Sequence, residues 1–156
     1  MASITDPFTG EEAFNAAPEK VYAILSSMDC YAKAIPGLVS HELQPDGAMK
    51  VAIKPGLSFV SGTVKAMMKL IESTPPAQGV PARTVMTIDS SGIGMTLNLE
   101  AAMNIVLDGA NTKVQWTGRV TNFTGLVKLA PAALVRGAAD KVIKDGWIGL
   151  RRQIEG

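Results

Sequence analysis

The chain has 156 residues, 47% of them hydrophobic and 19% charged, with a formal net charge of +1. That length suits one domain with its own core, the near-neutral balance argues against a general nucleic-acid binder, and the single Cys30 excludes an intrachain disulfide or a multi-thiolate metal site. No stretch reaches the roughly 18 uninterrupted apolar residues of a membrane span, and the opening MASITDPFTGEE has neither the basic start nor the apolar run of a signal peptide, so a cytoplasmic protein is expected.

In chain order, residues 8–16 (FTGEEAFNA) read as a strand. Pro18 suits the first position of a helix whose apolar stripe is Val21, Ile24, Leu25 and Met28. Asp29 is placed to cap a second short helix, DCYAKAI, which Pro36-Gly37 stops. From there to residue 124 the apolar pattern has period two. Turns are expected at Pro45-Asp46-Gly47, Pro55-Gly56, Pro75 to Pro81, Ser90-Ser91-Gly92 and Asp108-Gly109. Seven strands result, joined mostly as antiparallel hairpins. Residues 94–109 alternate most strictly, with Met95, Leu97, Leu99, Ala101, Met103, Ile105 and Leu107 on one face.

Residues 126–155 are helical in pattern, with a looser turn before Pro131 and a regular helix after it. At 100° per residue, Arg136, Asp140, Lys141, Lys144, Asp145, Arg151 and Arg152 share one half of the wheel. Ala132, Val135, Ala138, Ala139, Val142, Ile143, Gly146, Gly149 and Leu150 share the other. Residues 1–31 are mostly acidic and 126–156 mostly basic, a balance that suits either a solvated helix or orientation at an anionic surface. The order strand, two short helices, six strands, long helix predicts an α+β fold. The antiparallel sheet must curl, and only the last helix is long enough to fill its concave side.

That filling looks thin. The inward helix face is built of alanine and glycine, and Gly137, Gly146 and Gly149 each cost a helix interior about 1 kcal/mol relative to alanine. The candidate lining is Met49, Val51, Val64, Met68, Met86, Met95, Leu97, Leu99, Met103 and Trp116 from the strands, with Val135, Ala138, Ala139 and Val142 from the helix. Methionine adapts to more than one shape. Periodicity alone leaves two readings open: a cavity for an apolar ligand, or ordinary close packing with methionine as filler.

Catalytic signals are scarce. His41 is the single histidine, so any histidine-based catalytic unit could use no other, and a hydrogen-bonded wall residue is the plainer role. GIGMTL lacks the third glycine of a nucleotide loop and opens a strand. No nucleophile elbow, phosphate loop or metal-ligand spacing occurs.

The segments FTGEEAFNAAPEKVYAIL, AIPGL at 34–38, IKPGLSFVSGTVKAMMKLIESTPP at 53–76 and LVRGAADKVIKDGW at 134–147 together resemble the carbon monoxide dehydrogenase CoxG family. That family lies within the START-like, birch-pollen-allergen-like (SRPBCC) superfamily. The resemblance spans nearly the whole chain. It implies a helix-grip fold, a curved seven-stranded sheet around the C-terminal helix with a hydrophobic cavity between them. It implies a non-catalytic accessory of a molybdenum-containing carbon monoxide dehydrogenase or related hydroxylase, helping link that enzyme to the cytoplasmic membrane.

The expected cargo is an isoprenoid quinone or a lipid, held without covalent attachment and oriented by polar residues at the mouth, for which Tyr31, His41 and Asn122 are the candidates. Longer relatives carry a C-terminal tail that touches the membrane. With this chain ending at Gly156, membrane contact is expected from the domain itself, at Trp147 beside Arg151 and Arg152, unless Trp147 is instead covered by the loop around Pro75 to Pro81. Two other readings remain: a tethering or assembly protein with an incidental cavity, and a cyclase-type enzyme, which would want acid–base residues inside that the alternation does not supply.

Overall fold

The computed structural model describes residues 4–54, 62–77, 80–92 and 94–156, leaving aside the side chains of residues 126 and 127. The strands are β1 (Phe8–Phe14), β2 (Leu38–Leu43), β3 (Met49–Ile53), β4 (Val64–Thr74), β5 (Ala82–Gly92), β6 (Met95–Asp108) and β7 (Asn111–Gly125). The helices are α1 (Pro18–Leu25), α2 (Met28–Ala34), α3 (Leu126–Leu129) and α4 (Ala132–Glu155). The expected turn at Pro55-Gly56 and part of the Pro75–Pro81 loop lie outside the described residues.

All seven strands form one antiparallel sheet in the order β1-β7-β6-β5-β4-β3-β2. The first strand therefore crosses to pair with the last, and α1 and α2 span the connection. Bulges between Leu70 and Glu72 and between Asn98 and Leu99 strengthen the twist of long strands that would otherwise be flat. The sheet wraps α4, as the expected α+β helix-grip arrangement requires.

Local chemistry accounts for the helix ends. Pro18 stands at the start of α1. The cap of α2 is Ser27, whose side chain accepts from the Cys30 backbone N–H at 3.2 Å. Asp29, expected in that role, lies inside the first turn and pairs with Lys33 at 2.8 Å. After α2 the chain reverses at Gly37, where φ is +77° and an added Cβ would fall 2.0 Å from the Lys54 carbonyl oxygen. Only glycine fits that approach. The expected Ser90-Ser91-Gly92 turn is instead strand: β5 continues to Gly92, which pairs with Met95.

The main core lies where α1, α2 and the C-terminal half of α4 meet the sheet. Phe14, Leu25, Met49, Ile105 and Ile154 are completely buried there, each side chain stabilising the fold by about 1.5–3 kcal/mol. Arg151 fastens α4 to β1. It donates to the Ala13 carbonyl at 2.6 Å, pairs with Glu12 at 3.6 Å and Glu155 at 3.3 Å, and stacks 4.4 Å from the Phe14 ring centroid.

Candidate functional site

The long strand β6 is buried unevenly. Met103 and Ile105 are buried within the main core, whereas Met95, Leu97, Leu99 and Ala101, on the same face, stay half-buried. Their partners in register include Ile88 and Ser90 on β5 and Gly118 on β7, all likewise half-buried. A second, smaller cluster of Ile4, Val120 and Val135 gathers Met95, Leu97, Leu99 and Phe123 around it. The half-buried stretch of β6 thus forms the margins of two clusters, Ala101 on the main core and Met95, Leu97 and Leu99 on the smaller one, and makes a half-exposed apolar seam.

Two glycines, one on α4 and one on the sheet, border open space. An added Cβ at Gly146 on α4, or at Gly118 on the sheet, would meet nothing within 4 Å. Gly149 differs: its Cβ would fall 3.0 Å from Ala34 Cα, so its smallness lets α2 and α4 touch. Among the described residues, β1 is the strand that runs most closely alongside α4, while α1 and α2 support the helix's C-terminal half. Glycine in α4 therefore has two causes, close approach at 149 and open space at 146.

Of the expected lining residues, Met49, Val51, Val64, Met68, Met86 and Met103 are buried, all but Val64 within the main core at the closed end, and Val135 is buried in the smaller cluster. Met95, Leu97, Leu99, Trp116, Ala138 and Ala139 are half-buried. Val142 is exposed at 37% and lines nothing inside. Ile143, one position on, packs against the core in its place.

Trp147, expected at a membrane surface, is only 7% exposed. Its ring lies 6.0 Å from Phe14 and 6.2 Å from Trp116, centroid to centroid. Both corrections have one origin. The buried line of α4 runs through Val135, Trp147, Leu150 and Ile154, which rotates the inward direction by about 60° from the wheel drawn on small residues. On the other flank Gly149 faces α2 and Gly146 faces open space. Arg151 is committed to Glu12 and Glu155, and Arg152 is exposed.

The expected mouth residues are not brought together. Tyr31 is buried, and its hydroxyl donates to the Met103 sulfur at 2.9 Å. Burial pushes its phenol well above the ordinary value. His41 sits on the edge strand β2 with Nε2 3.6 Å from Asp29. Asn122 is exposed and registers with Asn98, whose amide donates to Asp89 on the convex face. The polar feature that sequence reasoning missed is the Trp116 indole N–H, buried without an acceptor among the described residues. Trp116 lies flat over Gly10 of β1. Finding it requires the pairing of β1 with β7, and no local pattern gives that.

No group of three or more His, Cys, Asp or Glu side chains among the described residues is placed to hold a metal. No described helix is long and apolar enough to cross a membrane. Where α1 meets the ends of β5 and β6, a groove of about 780 Å³ runs between Pro18, Pro76, Pro81 and Leu107.

The fold is shared with solved proteins of low sequence identity. A conserved protein from Geobacillus kaustophilus superposes with a TM-score of 0.83 at 19% identity, over 96% of this chain and 95% of that one. A START superfamily protein from Mycobacterium smegmatis gives 0.65 at 13% identity, over 95% and 96%. The di-domain ARO/CYC protein BexL of the BE-7585A biosynthetic pathway gives 0.64 at 15% identity, over 98% of this chain and 51% of that one. No curated protein matches the chain by sequence. The family model for the carbon monoxide dehydrogenase protein CoxG matches residues 10–155, and the chain belongs to that family.

Proposed function

We propose that this protein is a non-catalytic accessory of a carbon monoxide dehydrogenase or related molybdenum hydroxylase, and that it holds a long apolar molecule, an isoprenoid quinone or a lipid, between α4 and the sheet. The observation that carries the reading is the half-buried apolar run of Met95, Leu97, Leu99 and Ala101 on β6, with Gly118 in register with Ala101 and open space where its Cβ would be. An empty apolar space forfeits packing energy, and an apolar ligand restores it. Family membership supports the link to the dehydrogenase.

A quinone suits the chemistry of such an enzyme, whose electrons must reach a pool dissolved in the membrane. A protein that shields the prenyl tail delivers the headgroup to the enzyme. The Trp116 N–H, lacking an acceptor among the described residues, suits a quinone or ester carbonyl oxygen. Within the described interior the buried polar side chains include Thr84, Thr112 and Tyr31; Thr112 is committed to the Ala16 carbonyl at 2.6 Å and the Tyr31 hydroxyl to the Met103 sulfur at 2.9 Å. That is little material for acid–base catalysis, so the cyclase reading is disfavoured.

Native mass spectrometry of the purified protein, followed by organic extraction, tests this. A co-purifying or readily acquired quinone or lipid near one equivalent is expected. A ligand-free mass that stays unchanged after incubation with both would leave tethering of the dehydrogenase as the role.

A further inference from the structure

We infer that α3 and the first two turns of α4 form a lip that seats the protein on an anionic phospholipid bilayer. The cargo that crosses this lip rests on the reading above; the surface itself does not.

The first observation is a break in the amphipathic pattern of α4. Its residues 140–155 carry Asp140, Lys141, Lys144, Asp145, Arg151, Arg152 and Glu155, as a solvated helix should. Residues 132–139, AALVRGAA, carry Arg136 alone, and its guanidinium is held at the start of β1, 2.7 Å from the Asp6 carbonyl and 4.0 Å from the Phe8 ring centroid. The outer side of these turns is left to Ala133, Leu134 and Gly137, all exposed, with Leu134 at 43%. Just before them, Leu129 on α3 is 81% exposed.

The second observation is charge. No aspartate or glutamate occurs between Asp108 and Asp140. Lys128 is exposed beside Leu129, its ammonium 6.0 Å from the Phe123 ring centroid. The first turn of α4 contains no acidic residue and its N-terminus has no side-chain cap, so the positive end of the helix dipole faces the same lip. Exposed leucine beside Lys128 and a helix N-terminus fits acyl chains below and phosphate groups above.

Size favours a bilayer over a protein partner. A stable protein interface takes about 20–30 residues from each side, whereas this lip is a four-residue helix and two turns. Position favours it too. The lip roofs the smaller cluster, where Val135 meets Ile4 and Val120 beside the half-buried Met95 and Leu97. A molecule moving between bilayer and seam would pass directly beneath it.

The test is flotation with vesicles of 70:30 phosphatidylcholine and phosphatidylglycerol, against phosphatidylcholine alone. The wild-type chain should float with the anionic vesicles. Lys128→Gln should weaken binding about fivefold. The double variant L129S/L134S should weaken it by roughly tenfold or more; both leucines are exposed, so the fold is retained. Ile148→Ser, an exposed apolar residue on the charged stretch of the same helix, should change nothing. Failure of the wild type to float, flotation of the double variant like wild type, or flotation only when dehydrogenase is bound to the vesicles would each overturn the lip. Uptake of quinone from detergent micelles is measured in parallel. Uptake without flotation refutes the lip and leaves the cavity reading standing; flotation without uptake does the reverse.

Discussion

Gly146→Ala and Gly149→Ala should act in opposite directions, although both place the better helix former inside α4. Alanine gains about 1 kcal/mol over glycine in a helix interior. At Gly146 nothing lies within 4 Å of the new Cβ, so the gain is kept. For a chain of this size it corresponds to a rise in Tm of about 2–4 °C. At Gly149 the new Cβ would lie 3.0 Å from Ala34 Cα and from the Ala34 carbonyl oxygen. These are backbone atoms of a packed helix, so α2 and α4 must separate. Such overpacking costs about 1–3 kcal/mol. Set against the propensity gain, the net is a loss of up to about 2 kcal/mol, or a fall of up to about 8 °C. Gly146→Leu extends the series into the space itself. It should keep the fold at least as stable while reducing quinone or lipid uptake by roughly tenfold or more, since overpacking is then felt by the ligand. Differential scanning calorimetry and native mass spectrometry read the two effects. A destabilised Gly146→Ala, or normal uptake by Gly146→Leu, would refute the reasoning that a space is kept beside residue 146.

Other residues give sharp tests as well. Trp147→Ala removes a ring packed on Phe14 and Trp116, at a cost of about 3–5 kcal/mol and roughly 6–20 °C in Tm; a drop under about 3 °C would contradict its place in the core. Tyr31 has a raised pKa because it is buried. The folded state therefore holds a proton that the unfolded state releases above its ordinary value of 10.0, and stability should decline as pH climbs beyond that point. Tyr31→Phe should cost about 1 kcal/mol near neutrality and flatten the alkaline decline in urea titrations; an unchanged slope above that pH argues against a buried phenol. Asp29 has its carboxyl held below the usual 3.8, first by the hydrogen bond from Lys33. Its small contribution is present above that value and fades as acid protonates it at its lower folded pKa. Lys33→Met should move the Asp29 titration, followed by NMR, upward toward 3.8; an unmoved titration would show the pair is not formed in solution.

Strands are more legible in this chain than helix orientation, for physical reasons. Alternation at period two reports which residues share a face of a strand, so the seven strands and the face of β6 can be read from the residue pattern alone. A capping side chain can come from either of two neighbouring positions, and only geometry distinguishes Ser27 from Asp29. The Ser90-Ser91-Gly92 segment has turn-forming residues, yet pairing with β6 holds it in the sheet. For α4, a stripe of small residues suggests the side that faces the sheet. Small residues in fact mark α2 at Gly149 and open space at Gly146, while the buried line of the helix is Trp147, Leu150 and Ile154. The candidate mouth residues do not converge because polarity near an apolar pattern says nothing about which end of a curled sheet is open. Tyr31 belongs to the closed end and Asn122 to the convex side.

The most direct test of ligand binding uses the methionine methyl groups, which are spread through the molecule. Carbon-13 methyl NMR of the protein titrated with an isoprenoid quinone should shift Met95, on the half-buried seam, strongly. Met28 and Met49, packed at the closed end, should move little. A spectrum unchanged at Met95, or one in which the closed-end methyls respond instead, would contradict a ligand seated between α4 and the first half of β6.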